Sequence, residues 1–250
     1  MGASTGPDAP AGRPEDAPPD VGTDGWSGPL ADPAYRVAVV DLLGVIAYGE
    51  LSAFERLAED ATMAPTLDDK LAMAGMAAAE FGHVAALRDR IEALGGDVTQ
   101  AMAPFQRAID GFHDHTAPTD WYEGLVKAYV GDGLAADFYR EIAATLDAET
   151  RELVVAAMAD VGHADFVVDR VRAAIAADPR VGGRLALWGR RLMGEALTQA
   201  QRVAAERDAL TALLAGGVDR PGMDLAAIGR MFNRLTERHA ARMAALGLDA

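Results

Sequence analysis

Glu80-Phe81-Gly82-His83 and, further on, Asp160-Val161-Gly162-His163 each place a carboxylate three residues before a histidine. On a helix, residues three apart are neighbours, so each pair presents both side chains in one direction. That direction is apolar. Around Glu80, the positions three, four and seven away include Met73, Met76, Ala77, Val84 and Leu87; around Asp160 they include Leu153, Ala156, Ala157, Ala164 and Val167. Glu50 interrupts an apolar stripe in the same way, among Leu43, Ile46, Ala47, Ala53, Phe54 and Leu57. A charge among apolar neighbours is costly unless it is paired or binds a metal. Three such interruptions in one chain point to a shared cause.

A fourth acid is expected from the helix between the two motifs, which offers Asp132 and Asp137. Asp132 shares its face with Leu125, Ala128, Tyr129, Ala135, Ala136 and Tyr139. Asp137 has Arg140 and Glu141 beside it and reads as the more solvated, so Asp132 is preferred. Gly131 and Gly133 flank it, either to admit a close neighbouring helix or a substrate or as a packing concession. Two acid-x-x-His helices plus two helices each giving one acid is the ligand set of ferritin-like di-iron bundles. The expected metal ligands are therefore Glu50, Glu80, His83, Asp132, Asp160 and His163. The spacing repeats: 30 residues from Glu50 to Glu80, 28 from Asp132 to Asp160.

The rest of the composition agrees. Half of the 250 residues are hydrophobic but only 6% are aromatic, which suits close helix packing. There is no cysteine, so a metal would take carboxylate and imidazole ligands, the set used by non-haem iron and manganese. The segment before Ala34 has neither a basic start nor an apolar core, and charges interrupt every apolar run. The chain reads as cytoplasmic, with no membrane partner. A net charge of −15 argues against nucleic acid as a general partner.

Read in order, residues 1–33 form a Pro/Gly-rich tail with too little apolar surface to order itself, Trp26 being its one docking candidate. Residues 34–250 form one all-α domain: a four-helix core over 34–178 and two additional C-terminal helices within 183–247. The core helices are expected at about 34–63, 67–94, 120–146 and 148–177, with Thr66 and Thr119 as N-caps. A crossover from Asp97 to Pro118 joins the two pairs and carries His113 and His115, read as exposed loop residues. His239 reads as a satisfied core histidine.

At these residues the chain resembles the tRNA-(2-methylthio-isopentenyladenosine) hydroxylases, the MiaE-like branch of the ferritin-like superfamily. The resemblance runs from Tyr35 to Ala177 and rests on Glu50 within Tyr48-Gly49-Glu50-Leu51, on Glu80 and His83, on Asp132, and on Asp160 and His163. The family pattern has glutamates where this chain has Asp132 and Asp160. The resemblance implies a di-iron monooxygenase that uses O2 to hydroxylate a modified tRNA nucleoside. Glu80 and Asp160 would bridge two iron ions, Glu50 and Asp132 would be terminal, and His83 and His163 would bind one ion each. Leu43, Ile46, Phe54, Met76 and Val84 would keep water out.

Manganese is an alternative to iron. Two other functions remain open: a ferroxidase or metal-binding bundle without organic substrate, and a metal-free scaffold. Positive charge gathers late, with thirteen arginines against seven acids from Arg170 to Arg242. Arg190 and Arg191, with the stripe Arg230, Arg234, Arg238 and Arg242, would be the phosphate contacts of an RNA partner; a solvated helix face is the plainer reading. A homodimer is among the assemblies admitted.

Overall fold

The computed structural model describes residues 26–158, 163–216 and 222–250 besides Met1, though not the side chains of His163 and Leu225. Among the described residues the structure is helical throughout, with α1 Pro33–Asp60, α2 Leu67–Ala93, α3 Val98–Met102, α4 Gln106–His115, α5 Trp121–Ala143, α6 Ala148–Ala157, α7 His163–Ala177, α8 Pro179–Glu206, α9 Asp208–Ala215 and α10 Leu225–Ala245. Helices α1 and α2 pack as an antiparallel pair, α5 with α6 and α7 supplies the other half, and α2 touches both α6 and α7. This is the ferritin-like bundle, with α3 and α4 as the crossover. Helix α8 lies along α4 and α5, α9 against α1, and α10 against α5.

Local chemistry sets the helix ends. Asp32 accepts the Ala34 N–H before Pro33 opens α1, and Thr66 accepts the Asp69 N–H at the start of α2; such caps contribute about 1 kcal/mol each. Helix α2 closes at Gly95-Gly96, whose second N–H returns to the Ile91 carbonyl 2.9 Å away. The cap of α5 is Asp120, one residue later than expected. Thr119 instead donates its N–H and hydroxyl to Glu123 Oε2, 2.8 Å from each.

Several expectations need correction. The expected helix over 148–177 is two helices, α6 and α7, and residues 159–162 between them lie outside the described residues. The expected helix from 183 begins at Pro179, where proline's missing N–H is no loss in a first turn. It breaks at Arg207, whose extended backbone lets the guanidinium reach buried Asp41 at 2.6 Å and lie 5.7 Å from the Phe105 ring. At the N-terminus, Gly28–Ala31 form a 3-10 turn and Trp26 packs on the core beneath Arg36, so order begins before residue 34. Residues 2–25 of the expected tail lie outside the described residues. Pro33–Met63 is long and apolar enough to cross a membrane by length and composition, with a mean hydropathy of 1.7 in its most apolar window. In this fold it is the central core helix, covered by α2, α3, α5 and α9.

Among the described residues the core falls into two apolar clusters. One gathers α1, the C-terminal half of α2, α6 and α9 around Leu42, Leu43 and Ile46. The other gathers α5, α7 and α8 around Leu125, Val130 and Leu185. A cavity of about 550 Å3 lies between them.

Candidate metal centre

Glu50 from α1 and Glu80 and His83 from α2 meet on the cavity wall. One ligand atom from each lies within 4.8 Å of the others. His83 Nδ1 is 2.9 Å from Glu50 Oε2. The two glutamates share a hydrogen bond, so one of them carries a proton. Glu50 is only 7% exposed, and burial pushes its carboxyl up to about 7, offset by the bond to Glu80 and reinforced by the charge of Asp132. Glu80 is pushed up to about 8 by burial, then by the hydrogen bond to Glu50 and its charge, against the pull of His83. Two buried acids this close repel when both ionise. A divalent ion would replace the shared proton, and the all-oxygen-and-imidazole donor set suits iron or manganese.

Asp132 lines the same cavity from α5, although its side chain is exposed. Asp137, expected to be the more solvated, is 3% exposed. Five residues are about 140° of helical rotation, so the two acids occupy different faces. Asp137 is enclosed by arginines instead: Arg140 at 3.2 Å, Arg238 at 3.6 Å, and Arg242 in direct contact. Arg242 also donates to the Gly133 carbonyl at 2.8 Å, and a Cβ at Gly133 would run into its guanidinium. Gly133 thus admits a neighbour's side chain, whereas a Cβ at Gly131 would meet nothing within 4 Å. Asp160 and the side chain of His163 lie outside the described residues.

The cavity wall is mainly apolar. Ile46 and Met76 line it as expected. Leu43 is instead buried in the core, and Phe54 packs on Phe81, ring centres 5.2 Å apart. Tyr139 lines the cavity near Glu50; burial, then the charge of Glu50, raises its phenol above the usual range, so it keeps its proton. Lys127, Asp60 and His113 also line it. His113 is half-buried on α4, not in an exposed loop, and His115 ends the same helix, 2.9 Å from Glu195. His239 is 4% exposed, but neither ring nitrogen has a hydrogen-bond partner among the described residues, so it is buried without being satisfied. The sequence pattern does not single out Lys127 or Tyr139 as site residues: Asp120, Glu123, Gly124 and Gly131 share the face of Lys127 with Val130 and Leu134.

Of the late arginines, Arg190, Arg191, Arg234, Arg238 and Arg242 have partners within the chain. Arg234 binds Glu141 at 2.5 Å and Arg238 binds it at 3.2 Å. Arg190 donates to the Asp249 carbonyl at 3.1 Å and Arg191 to that of His115 at 2.5 Å.

A family model described as "Ferritin-like domain, actinomycetes" matches residues 33–217. No curated protein matches the chain. Among solved structures, a Synechococcus protein described as "Protein 19 with aldehyde deformylating oxidase activity" superposes with a TM-score of 0.67 at 23% identity, over 88% of this chain and 94% of that one. That likeness is one of fold. Neither the arginine contacts nor the comparisons support a tRNA substrate.

Proposed function

The chain belongs to the actinomycete ferritin-like domain family, and on that premise we propose that it is a di-iron oxidase-type enzyme acting on an apolar, chain-like molecule held in the bundle. The observation that carries this is the convergence of Glu50, Glu80 and His83 on the wall of a largely apolar cavity of about 550 Å3. That volume is in the range of small-molecule sites. Glu50, Glu80 and His83 would together hold metal there. Asp132, which lines the cavity from α5, would be a further ligand. Asp160 and His163 complete the set by their place in the sequence pattern.

Two iron ions so held would supply dioxygen activation. The residues themselves bind and order. Glu50 and Glu80 give up their shared proton as metal enters. Tyr139 stays a neutral phenol beside Glu50. Leu42, Ile46, Met76 and Leu134 keep bulk water from the cavity and offer an apolar chain dry contact. The aldehyde deformylating oxidase activity in the name of the Synechococcus neighbour is consistent with an apolar carbonyl substrate.

The test is metal analysis of the purified chain followed by O2 uptake with Fe(II), a reductant and decanal. Uptake that continues beyond the added iron and depends on decanal supports the oxidase. Uptake that stops once the iron is oxidised, with or without decanal, assigns a ferroxidase. Absence of bound metal after loading leaves a scaffold.

A further inference from the structure

Away from the acidic cluster, three of the buried side-chain nitrogens without partners belong to residues that line one cavity. Among the described residues, Lys127 Nζ, His113 Nδ1 and Arg56 Nε are shielded from solvent and hydrogen-bonded to nothing. All three residues line the cavity, Lys127 from α5, His113 from α4 and Arg56 from α1. Lys127 is 6% exposed, and its ammonium lies 5.8 Å from the centre of the Phe112 ring. The charge of Asp60 is felt by Lys127, and Asp60 packs on α5 where a Cβ at Gly124 would come within 3.3 Å of its Oδ2. It nevertheless takes no hydrogen bond from Lys127.

A buried donor left unpaired costs about 1–3 kcal/mol, and folds leave few of them. Three in one wall, from three helices, mark a place prepared for an acceptor from elsewhere. Burial first, then Lys127 and Arg56, push the His113 imidazole down to about 3, so it is neutral and can offer an Nδ1–H. Lys127 supplies positive charge, and so does Arg56, whose terminal nitrogens already hold Glu59 at 3.0 Å and Glu55 at 4.0 Å and leave Nε to point inward unpaired. The acceptor that answers two cations and a neutral N–H is an anionic oxygen group, and the neighbouring wall, with Phe112, Ile109 and Leu57, suits an apolar tail.

We propose that Lys127, His113 and Arg56 form a carboxylate-binding site that holds the head of an apolar-chain acid, with its chain lying in the cavity. None of its groups belongs to the acidic cluster, so the site stands whether or not that cluster binds metal. A consequence does rest on the metal reading. Six residues of α1 separate Arg56 from Glu50, a rise of about 9 Å. An acid anchored at Arg56 and Lys127 would therefore present a carbon far from its carboxylate to Glu50, Glu80 and His83.

The experiment is calorimetric titration of the full-length chain, with and without Mn(II), using decanoate and decan-1-ol. Decanoate is expected to bind about tenfold or more tightly than decan-1-ol in both states, the worth of a charge-assisted hydrogen bond. Lys127→Met should abolish that preference and leave decan-1-ol binding unchanged. Arg56→Gln, at a partly exposed side chain, should weaken decanoate alone. Equal binding of the two ligands, or a preference that survives Lys127→Met, overturns the proposal. Should Lys127→Met fail to fold, unchanged decanoate affinity in Arg56→Gln overturns it. Decanoate binding seen only with Mn(II) also overturns it, while leaving the metal reading intact.

Discussion

His83 Nδ1 lies 2.9 Å from Glu50 Oε2, tying the second long helix to the first at the cavity wall. Glu80, one turn before His83 on the same helix face, is hydrogen-bonded to the same Glu50. Three ligand-bearing groups are thus already in place before any ion arrives. Binding metal there requires loss of a proton more than movement of a helix.

Metal should stabilise the fold. An ion that binds the native chain alone contributes about 2.7 kcal/mol at a hundredfold excess over its Kd. For a chain of this length that raises Tm by about 5–10 °C. Anaerobic Fe(II), or Mn(II), should produce this shift in a thermal melt, and Glu80→Gln should remove most of it. An unchanged Tm in the wild type would count against a metal site.

The same acids set a pH dependence in the metal-free chain. Glu80 is raised from 4.5 to about 8, so the folded chain keeps a proton that the unfolded chain has lost over that window. The proton's stabilising contribution is full below about pH 4.5 and is lost as pH rises through 8. Glu80→Gln keeps a donor to Glu50 without titrating. Its stability relative to wild type should increase between pH 5 and pH 8 in urea unfolding. Metal affinity should rise over the same interval, with protons released on binding; a pH-independent affinity would contradict the assignment.

Gly131 and Gly133 should respond oppositely to alanine. Alanine is favoured over glycine in a helix by about 0.5–1 kcal/mol. At Gly131, where a Cβ meets nothing within 4 Å, that gain should appear in full. At Gly133 the methyl displaces Arg242, which serves the buried Asp137. Overpacking of about 1–3 kcal/mol should outweigh the gain. Urea midpoints of the two variants would decide it.

Arg207 should matter beyond its surface position. Its guanidinium reaches the buried Asp41 at 2.6 Å from a residue that joins two helices. Arg207→Met strands that carboxylate and should cost about 2 kcal/mol, less than a fully buried pair because Arg207 is partly exposed. Adding Asp41→Leu should recover most of the loss, since it removes the unpaired charge. A double variant as unstable as the single one would show that packing, not charge, is at stake.

The helical class and the long helices were legible because their signals are local: the 3.6-residue apolar period, Thr66 at a helix start, Gly95-Gly96 at a helix end. Glu50 and Glu80 could be read as charges in apolar stripes for the same reason. Asp132 and Asp137 show where local reading stops. Both have apolar neighbours along α5, and which one is enclosed depends on α10 bringing Arg238 and Arg242 across that helix.

What the sequence by itself determined is which segments are helical and which of their charges violate the apolar pattern, since both follow from neighbours within a turn or two. Tertiary structure alone decided which of those charges meet. The rotation of each helix about its axis and the choice of neighbour turned the late arginines onto Glu141 and Asp137, and brought Arg56, His113 and Lys127 from three helices to one wall. Such pairings are set by how whole helix faces fit together, and no spacing along a single helix encodes that.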